Sequence, residues 1–269
     1  MAKIYVDAGA LLEKIRQHHP MVHHLTNWVT IYDCAQVVKV LGGSPVMAHA
    51  PEEAAQMTGL SQALVLNIGT LTVDMVEAMK LSAAAAKQKG IPVVLDVCGA
   101  GATDLRDHKC FELLDTGCIS LIKGNASEIA RVSGIAAHTR GVDAGRVDRD
   151  LAALARRLAG ERQATVALTG PVDLVTDGLR LYRIHNGHPL MGQVVGTGCM
   201  AASLMGAFAA VEPKNLVNAA AAALVCFGMA AQQAAALAKG PATFKEKLFD
   251  CLYSLDTAAL DAGQQVEAD

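Results

Sequence analysis

Aromatic residues are scarce in this chain: one Trp, four Tyr and five Phe, 4% of 269 residues. Large rings cannot fill the interior. The 52% hydrophobic share must build it from alanine and aliphatic side chains, which lets elements approach closely. A basic surplus is missing too. The net charge is −3, which lacks the electrostatic footprint of a nucleic-acid binder, and no polybasic or amphipathic tract marks a membrane surface. The opening MAKIYVDAGALLEKIRQHH has neither an apolar core nor a cleavage pattern, so no signal peptide is read and a cytoplasmic location is expected. Two apolar stretches fall short of membrane spans. Residues 199–211 are too short and are closed by Glu212, Pro213 and Lys214. Residues 216–231 are mostly alanine, carry Asn218 and run into Gln232 and Gln233. Both read as buried helices.

Other absences narrow the chemistry. The seven cysteines (34, 98, 110, 118, 199, 226 and 251) are odd in number and form no CxxC, which argues against a disulfide framework or a zinc site and for a reducing compartment. His18–His19 and His23–His24 are adjacent pairs, but Pro20 breaks any helix that would face them together, and no metal site is read there. There is no GxxxxGK[ST], no GxSxG, and GAGATD (99–104) lacks the final glycine of a dinucleotide fingerprint.

What is present is an alternation of short apolar runs and helical patterns. ALVLNI (63–68), PVVLD (92–96), ISLI (119–122) and ATVALT (164–169) read as strands. A helix runs from the N-cap Thr72 to Gly90, another starts at Asn125, and LAALARRLA (151–159) is a third. DLVTDGLRLYRI (173–184) reads as a hairpin turning at Asp177-Gly178, and the C-terminal third as nearly all helix. Residues 134–150 are polar and Gly-rich, an exposed loop rather than a boundary. Continuous rather than alternating apolar strands imply a mostly parallel sheet with helices on both faces, a three-layer α/β domain spanning 1–269.

In such a sheet ligands bind beyond the carboxyl ends of the strands. Three features fall there: Asn67-Ile68-Gly69-Thr70, Asp96 with VCGAGAT (97–103), and Thr169-Gly170. Asp96 is either a turn or cap residue or a ligand for a metal or water in the cleft. Glu128 closes a capping-box spacing with Asn125; it also leaves the same sheet edge as Asp96, and two carboxylates there suit Mg²⁺ at a phosphate site. Lys123 and Thr169 are either phosphate or nucleotide contacts or solvated surface groups. Gly196-Thr197-Gly198-Cys199 opens an apolar helix. It is either a tight loop or an anion hole in which amides and the helix dipole stabilise a phosphoryl group in flight.

Seven blocks in order, TNWVT (26–30), GGSPVMAHAPEE (42–53), NIGTL (67–71), LD..GAGAT (95–103), KGNASEI (123–129), ALTGPVD (167–173) and NGHPLM…GTGCM (186–200), resemble the hydroxyethylthiazole kinases of the ribokinase-like superfamily. The resemblance implies a ribokinase-like fold and ATP-dependent phosphorylation of the hydroxyl of 5-(2-hydroxyethyl)-4-methylthiazole, a step of thiamine biosynthesis and salvage. It implies that Met47 contacts the thiazole, with Asn27 and Gly69 lining its pocket. Gly196 would lie at the substrate hydroxyl, with Gly198 in the same loop. Lys123 and Thr169 would contact ATP, and Asp96 and Glu128 would organise Mg²⁺. A homotrimer with sites at subunit interfaces is also implied. Other ribokinase-like chemistry, such as phosphomethylpyrimidine kinase, and a non-catalytic thiazole- or nucleotide-binding protein are the alternatives.

Three positions depart from the family pattern. Lys123 stands where Arg is usual and loses the bidentate fork. Val97-Cys98 replaces Pro-Val. CAQVV (34–38) replaces ANxLL. Cys199 occupies the position at which many ribokinase-like enzymes carry a catalytic aspartate. It is a base, a group that positions the hydroxyl, or an inert residue whose backbone N–H matters.

Overall fold

The computed structural model describes residues 2–134 and 151–269. The loop expected over 134–150 therefore lies, from 135 onward, outside the described residues. The strands are β1 (Ala2–Lys3), β2 (Met21–Leu25), β3 (Ser44–Val46), β4 (Ala63–Asn67), β5 (Val93–Asp96), β6 (Leu121–Asn125), β7 (Thr165–Thr169), β8 (Asp173–Thr176), β9 (Leu181–Ile184) and β10 (Val266–Ala268). Among the described residues they form one ten-stranded sheet in the order β1-β10-β9-β8-β7-β6-β5-β4-β2-β3. From β3 to β7 the neighbours are parallel; β8, β9, β10 and β1 add antiparallel strands to one side.

Helices α1 (Ala8–His18), α2 (Ile31–Leu41), α8 (Thr197–Val211), α9 (Leu216–Leu237), α10 (Pro241–Tyr253) and α11 (Thr257–Gly263) cover one face. Helices α3 (Pro51–Leu60), α4 (Val73–Lys89), α5 (Asp104–Leu114), α6 (Ala126–Val132) and α7 (Leu151–Arg162) cover the other. The strands feed both cores by alternation: Val65, Val94 and Leu121 point toward α8, while Leu66, Leu95 and Ile122 point toward α4 and α5.

Small residues do what the scarcity of rings requires. A Cβ added at Gly206 of α8 would collide with Val65 Cγ2 and lie 3.1 Å from Val22 Cγ1. The helix is thus seated directly on β2 and β4 because that position has no side chain. Helix α9 is long and apolar enough to cross a membrane by length and composition, yet 72% of its apolar window is buried within the protein, as befits a central core helix.

Local signals account for most boundaries. Thr72 caps α4 by accepting from Met75 N at 3.2 Å. The 173–184 hairpin is β8–β9. Two differences have physical reasons. Strand β6 begins at Leu121, because the Ser120 hydroxyl accepts from Val93 N and Ser120 N donates to Val93 O in the approach to it. It then runs on through polar Lys123, Gly124 and Asn125, which pair with Ala167, Leu168 and Thr169 of β7. Hydropathy alone could not extend a strand through Lys-Gly-Asn. Strand β10 lies within a region expected to be helical; it is held between β9 and β1, so its partners define it rather than its own pattern.

Candidate active site

The parallel register sets three polar side chains side by side. Asn67 pairs with Asp96, and Asp96 with Lys123, at the carboxyl ends of β4, β5 and β6. Each follows a residue directed to the α4 side, so alternation turns all three toward α8. Asn67 Nδ2 donates to Asp96 Oδ2 at 2.8 Å, and Lys123 Nζ lies 3.2 and 3.3 Å from the two Asp96 oxygens. All three are buried, Asp96 completely and Lys123 to 4% exposure. Lys123 is therefore not a solvated surface group. It forms a buried ion pair beneath the helix.

The N-terminus of α8 stands over this row. Gly196 has φ +94°, and an added Cβ would lie 2.5 Å from Thr30 Cγ2. Only glycine turns the chain there while packed against Thr30. An added Cβ on Gly198 would lie 2.9 Å from Lys123 Nζ. The glycine thus brings the helix backbone down onto the ammonium. The amides of Thr197, Gly198 and Cys199 belong to the first turn, where a helix offers no internal acceptors. Thr197 Oγ1 fastens this start to the preceding 3₁₀ turn by donating to Met191 O at 3.0 Å.

Cys199 is 8% exposed, and its Sγ accepts from Asn27 Nδ2 at 3.3 Å. Asn27 Nδ2 reaches Asn67 Oδ1 at 3.0 Å, and Gly69 N donates to the same oxygen at 2.9 Å. The Asn27–Asn67 bond bridges β2 and β4. The chain leaves β2 for β3 on one side of it and returns as β4 on the other, which makes this the sheet's switch point, where open α/β sheets bind ligands.

Glu128 performs the capping role and a second one. Its Oε2 accepts from Asn125 N at 2.8 Å while Asn125 Oδ1 accepts from Glu128 N at 3.0 Å, completing the capping box. Its Oε1 accepts from Gly99 N at 2.8 Å and so ties the β5 loop to α6. Met47 and Thr169 flank the centre. Met47 follows the edge strand β3, and Thr169 ends β7, where its hydroxyl lies 3.4 Å from Gly124 O. Five strand steps of about 4.8 Å separate β3 from β7, so these two residues stand about 24 Å apart along the edge.

The charges are strongly coupled. Burial pushes the Asp96 carboxyl above its ordinary range, and Lys123 opposes this. Burial alone would lower Lys123, but Asp96 and Glu128 hold its ammonium above the usual value. Interaction with Cys98 brings Cys199 well below a free thiol, against burial and with help from Lys123. Cys98 is correspondingly raised, by the same interaction and by burial. The arrangement presents amides, a dipole and an ammonium to an anion, with a polarised sulfur beside them.

Several participants were not singled out from sequence. Asn67 was visible only as the end of an apolar strand. Thr30 lay within TNWVT without a role. Cys98 stood out only as a departure from a family pattern. Arg106 gave no signal at all. Its guanidinium donates to Ile68 O at 2.8 Å, Cys98 O at 3.3 Å and Gly69 O at 2.6 Å, which binds the loops after β4 and β5 together.

Comparison with known proteins agrees with this architecture. The chain is similar to the hydroxyethylthiazole kinase of Methanosarcina mazei, 49% identical over 256 residues that cover 95% of this chain and 98% of that one. Among solved structures, hydroxyethylthiazole kinase from Pyrococcus horikoshii OT3 superposes with a TM-score of 0.89 at 38% identity, covering 97% of this chain and 98% of that chain. A ribokinase-like superfamily protein from Enterococcus faecalis V583 shares the fold alone, with a TM-score of 0.63 at 13% identity over 94% of this chain and 99% of its own. The model of the hydroxyethylthiazole kinase family matches residues 12–258, and with these likenesses it establishes that the chain belongs to that family.

Proposed function

We propose that this kinase transfers the γ-phosphoryl group of ATP to the hydroxyl of 5-(2-hydroxyethyl)-4-methylthiazole, where the first turn of α8 meets the Asn67–Asp96–Lys123 row. The observation that carries the reading is the seating of Gly198 directly on Lys123, which brings the amide cluster and the buried charges into one site. The thiazole takes the Met47 side, with Asn27 and Gly69 in its pocket. ATP takes the Thr169 side. Their reacting ends meet at Gly196, Gly198 and Cys199.

Phosphoryl transfer through a loose transition state depends mainly on positioning and charge stabilisation. The amides of Thr197, Gly198 and Cys199 and the Lys123 ammonium receive the charge on the migrating phosphoryl oxygens. Asn27 and Cys199 orient the acceptor hydroxyl, and Cys199 accepts its proton. General-base help of this kind is worth about 10²–10⁴-fold, so a modest base suffices where charge stabilisation is intact.

Asp96 and Glu128 fit a hydrated Mg²⁺. They are hard oxygen donors on one sheet edge, and each Glu128 oxygen is shown accepting a single N–H, leaving a lone pair for a metal-bound water. Mg²⁺ supplies neutralisation of the β- and γ-phosphates when bound. Asp96, which Lys123 also holds, and Glu128 would hold it.

The rim of the site supports a homotrimer with interfacial sites. Trp28, Val29, Tyr32 and Val195 are 55%, 66%, 72% and 72% exposed beside Asn27 and Gly196, an apolar surface that a second copy would cover. The seven free cysteines support a cytoplasmic location, and the single sheet shared by both cores supports one domain over 1–269. ADP release with the thiazole alcohol, dependent on Mg²⁺, is the expected result. ADP release only with a hydroxymethylpyrimidine would shift the reading to the phosphomethylpyrimidine kinases. Tight thiazole binding without ADP would make the protein a binding module.

A further inference from the structure

We propose that Lys245 is a positioning residue for phosphoryl transfer: acting through Asp33, it cancels a carboxylate that the fold sets beside the anion-holding turn of α8. This rests on the function proposed above and adds to it a residue from outside the site, on α10.

Asp33 has a local reason to be where it is. It lies in the first turn of α2, where a carboxylate suits the positive end of the helix dipole. That turn is also locked into the site. Thr30 N and Oγ1 donate to Asn27 Oδ1 at 3.0 and 3.1 Å, and the Thr30 methyl packs against Gly196. The same packing carries Asp33 to the start of α8. Its Oδ2 lies 4.0 Å from the position that a Cβ on Gly196 would take. Asp33 is 7% exposed, so salt and water screen it little.

This places a negative charge beside a site built for anions. The amides after Gly196 receive the migrating phosphoryl group, and an oxygen held by them at hydrogen-bond length stands about 7 Å from the Asp33 carboxylate. Two like charges about 7 Å apart, at an effective dielectric constant of about 20–40, weaken binding about 7- to 50-fold. The buried charges around the turn do not offset it. Asp33, Asp96 and Glu128 are three carboxylates, against the ammonium of Lys123.

Lys245 supplies the balance. Its Nζ donates to Asp33 Oδ2 at 2.7 Å, the same oxygen that faces Gly196. The bond spans 212 positions of the chain and joins α10 to α2. With Tyr32, Gln36, Glu246 and Phe249 the pair lines a groove of about 470 Å³ between these helices. Among the described residues Lys245 is the one cation in that lining, so its loss leaves Asp33 and Glu246 there without a counter-charge.

The test is a charge cycle on the full-length protein: wild type, Lys245→Met, Asp33→Asn and the double variant, with Lys245→Arg as the conservative control. Each is measured by thiazole-dependent ADP release and by calorimetric binding of a β,γ-imido analogue of ATP with Mg²⁺. Lys245→Met should lower kcat/KM for ATP and analogue affinity by about tenfold. Lys245→Arg should keep both. Asp33→Asn leaves Lys245 unopposed and should bind the analogue at least as tightly as wild type. Adding Asp33→Asn to Lys245→Met should bring both readouts back to within about threefold of wild type, since the unmatched charge is gone. A tie that merely packs α10 on α2 is broken in every one of these variants except Lys245→Arg, so it predicts no rescue. A double variant as poor as Lys245→Met, an Asp33→Asn protein with weakened binding, or a Lys245→Met protein equal to wild type would each overturn the proposal. Should Lys245→Met not fold by circular dichroism, Lys245→Gln, which still donates to Asp33 but carries no charge, takes its place with the same expected deficit and rescue. Wild type that binds the analogue with this pattern but releases no ADP would count against the thiazole-kinase reading and leave the charge balance standing; wild type that does not bind the analogue would overturn the charge balance itself.

Discussion

Lys123→Met keeps the length of the side chain and removes its charge. Asp96, fully buried, would then retain only the Asn67 amide at 2.8 Å of the two partners that now hold it. Removing one member of a buried pair costs about 3–5 kcal/mol, because the other charge is left uncompensated. The carboxyl can escape by binding a proton. Burial already raises it, and losing the ammonium raises it further. The sign follows from linkage: an acid whose folded pKa exceeds its unfolded value is unpenalised below the unfolded value and loses stability as pH rises through the folded one. K123M should therefore stand closer to wild type at pH 5 than at pH 8. Adding Asp96→Asn replaces the stranded carboxylate with an amide that cannot ionise, so the double variant should be more stable than K123M at pH 8 by about 2 kcal/mol, within the range seen for coupled neighbours. Urea unfolding followed by circular dichroism at fixed protein concentration measures wild type, K123M, D96N and the double variant at both pH values. Additivity of the two substitutions within about 0.5 kcal/mol would refute the ion-pair argument, as would an equal loss for K123M at pH 5 and pH 8.

Three further outcomes are expected. Cys199→Asp should raise turnover or leave it within about tenfold, and Cys199→Ala should retain measurable activity, since the general-base share is limited to about 10²–10⁴-fold; an inactive alanine variant in an ADP-release assay would contradict the modest role. Gly196→Ala places a Cβ 2.5 Å from Thr30 Cγ2 at φ +94°, strain of about 1–3 kcal/mol that should lower kcat/KM by about 10²-fold; Thr30→Ser in the same background should recover part of it in steady-state kinetics. His24 is buried, and that burial brings its ring down to about 3. Its contribution is thus intact above the ordinary value near 6.5 and lost as pH falls toward the folded value. The gap between wild type and His24→Leu in urea unfolding should narrow or reverse by about 2 kcal/mol between pH 7.5 and pH 5.

What the chain determined by itself is local. Continuous apolar runs such as Ala63–Asn67 and Val93–Asp96 demand burial on both faces and so a parallel sheet. Thr72 and Asn125 carry their own capping chemistry, and the GTGC turn before an apolar run is a helix N-terminus wherever it is placed. The ordered motifs were enough to indicate the kinase family. Tertiary structure decided the pairings. Strand order alone sets Asn67, Asp96 and Lys123 in one row, and it turned Lys123 from a candidate surface contact into a buried ion pair. The seating of α8 on the sheet brought Cys199 within hydrogen-bond reach of Asn27, 172 positions earlier in the chain. Strand β10 exists because β9 and β1 accept it. The physical reason is one of range. Periodicity and caps act over a few residues and are written in neighbouring letters. A buried charge or thiol takes its character from whichever distant group the topology sets within hydrogen-bond reach, and no local pattern encodes that partner.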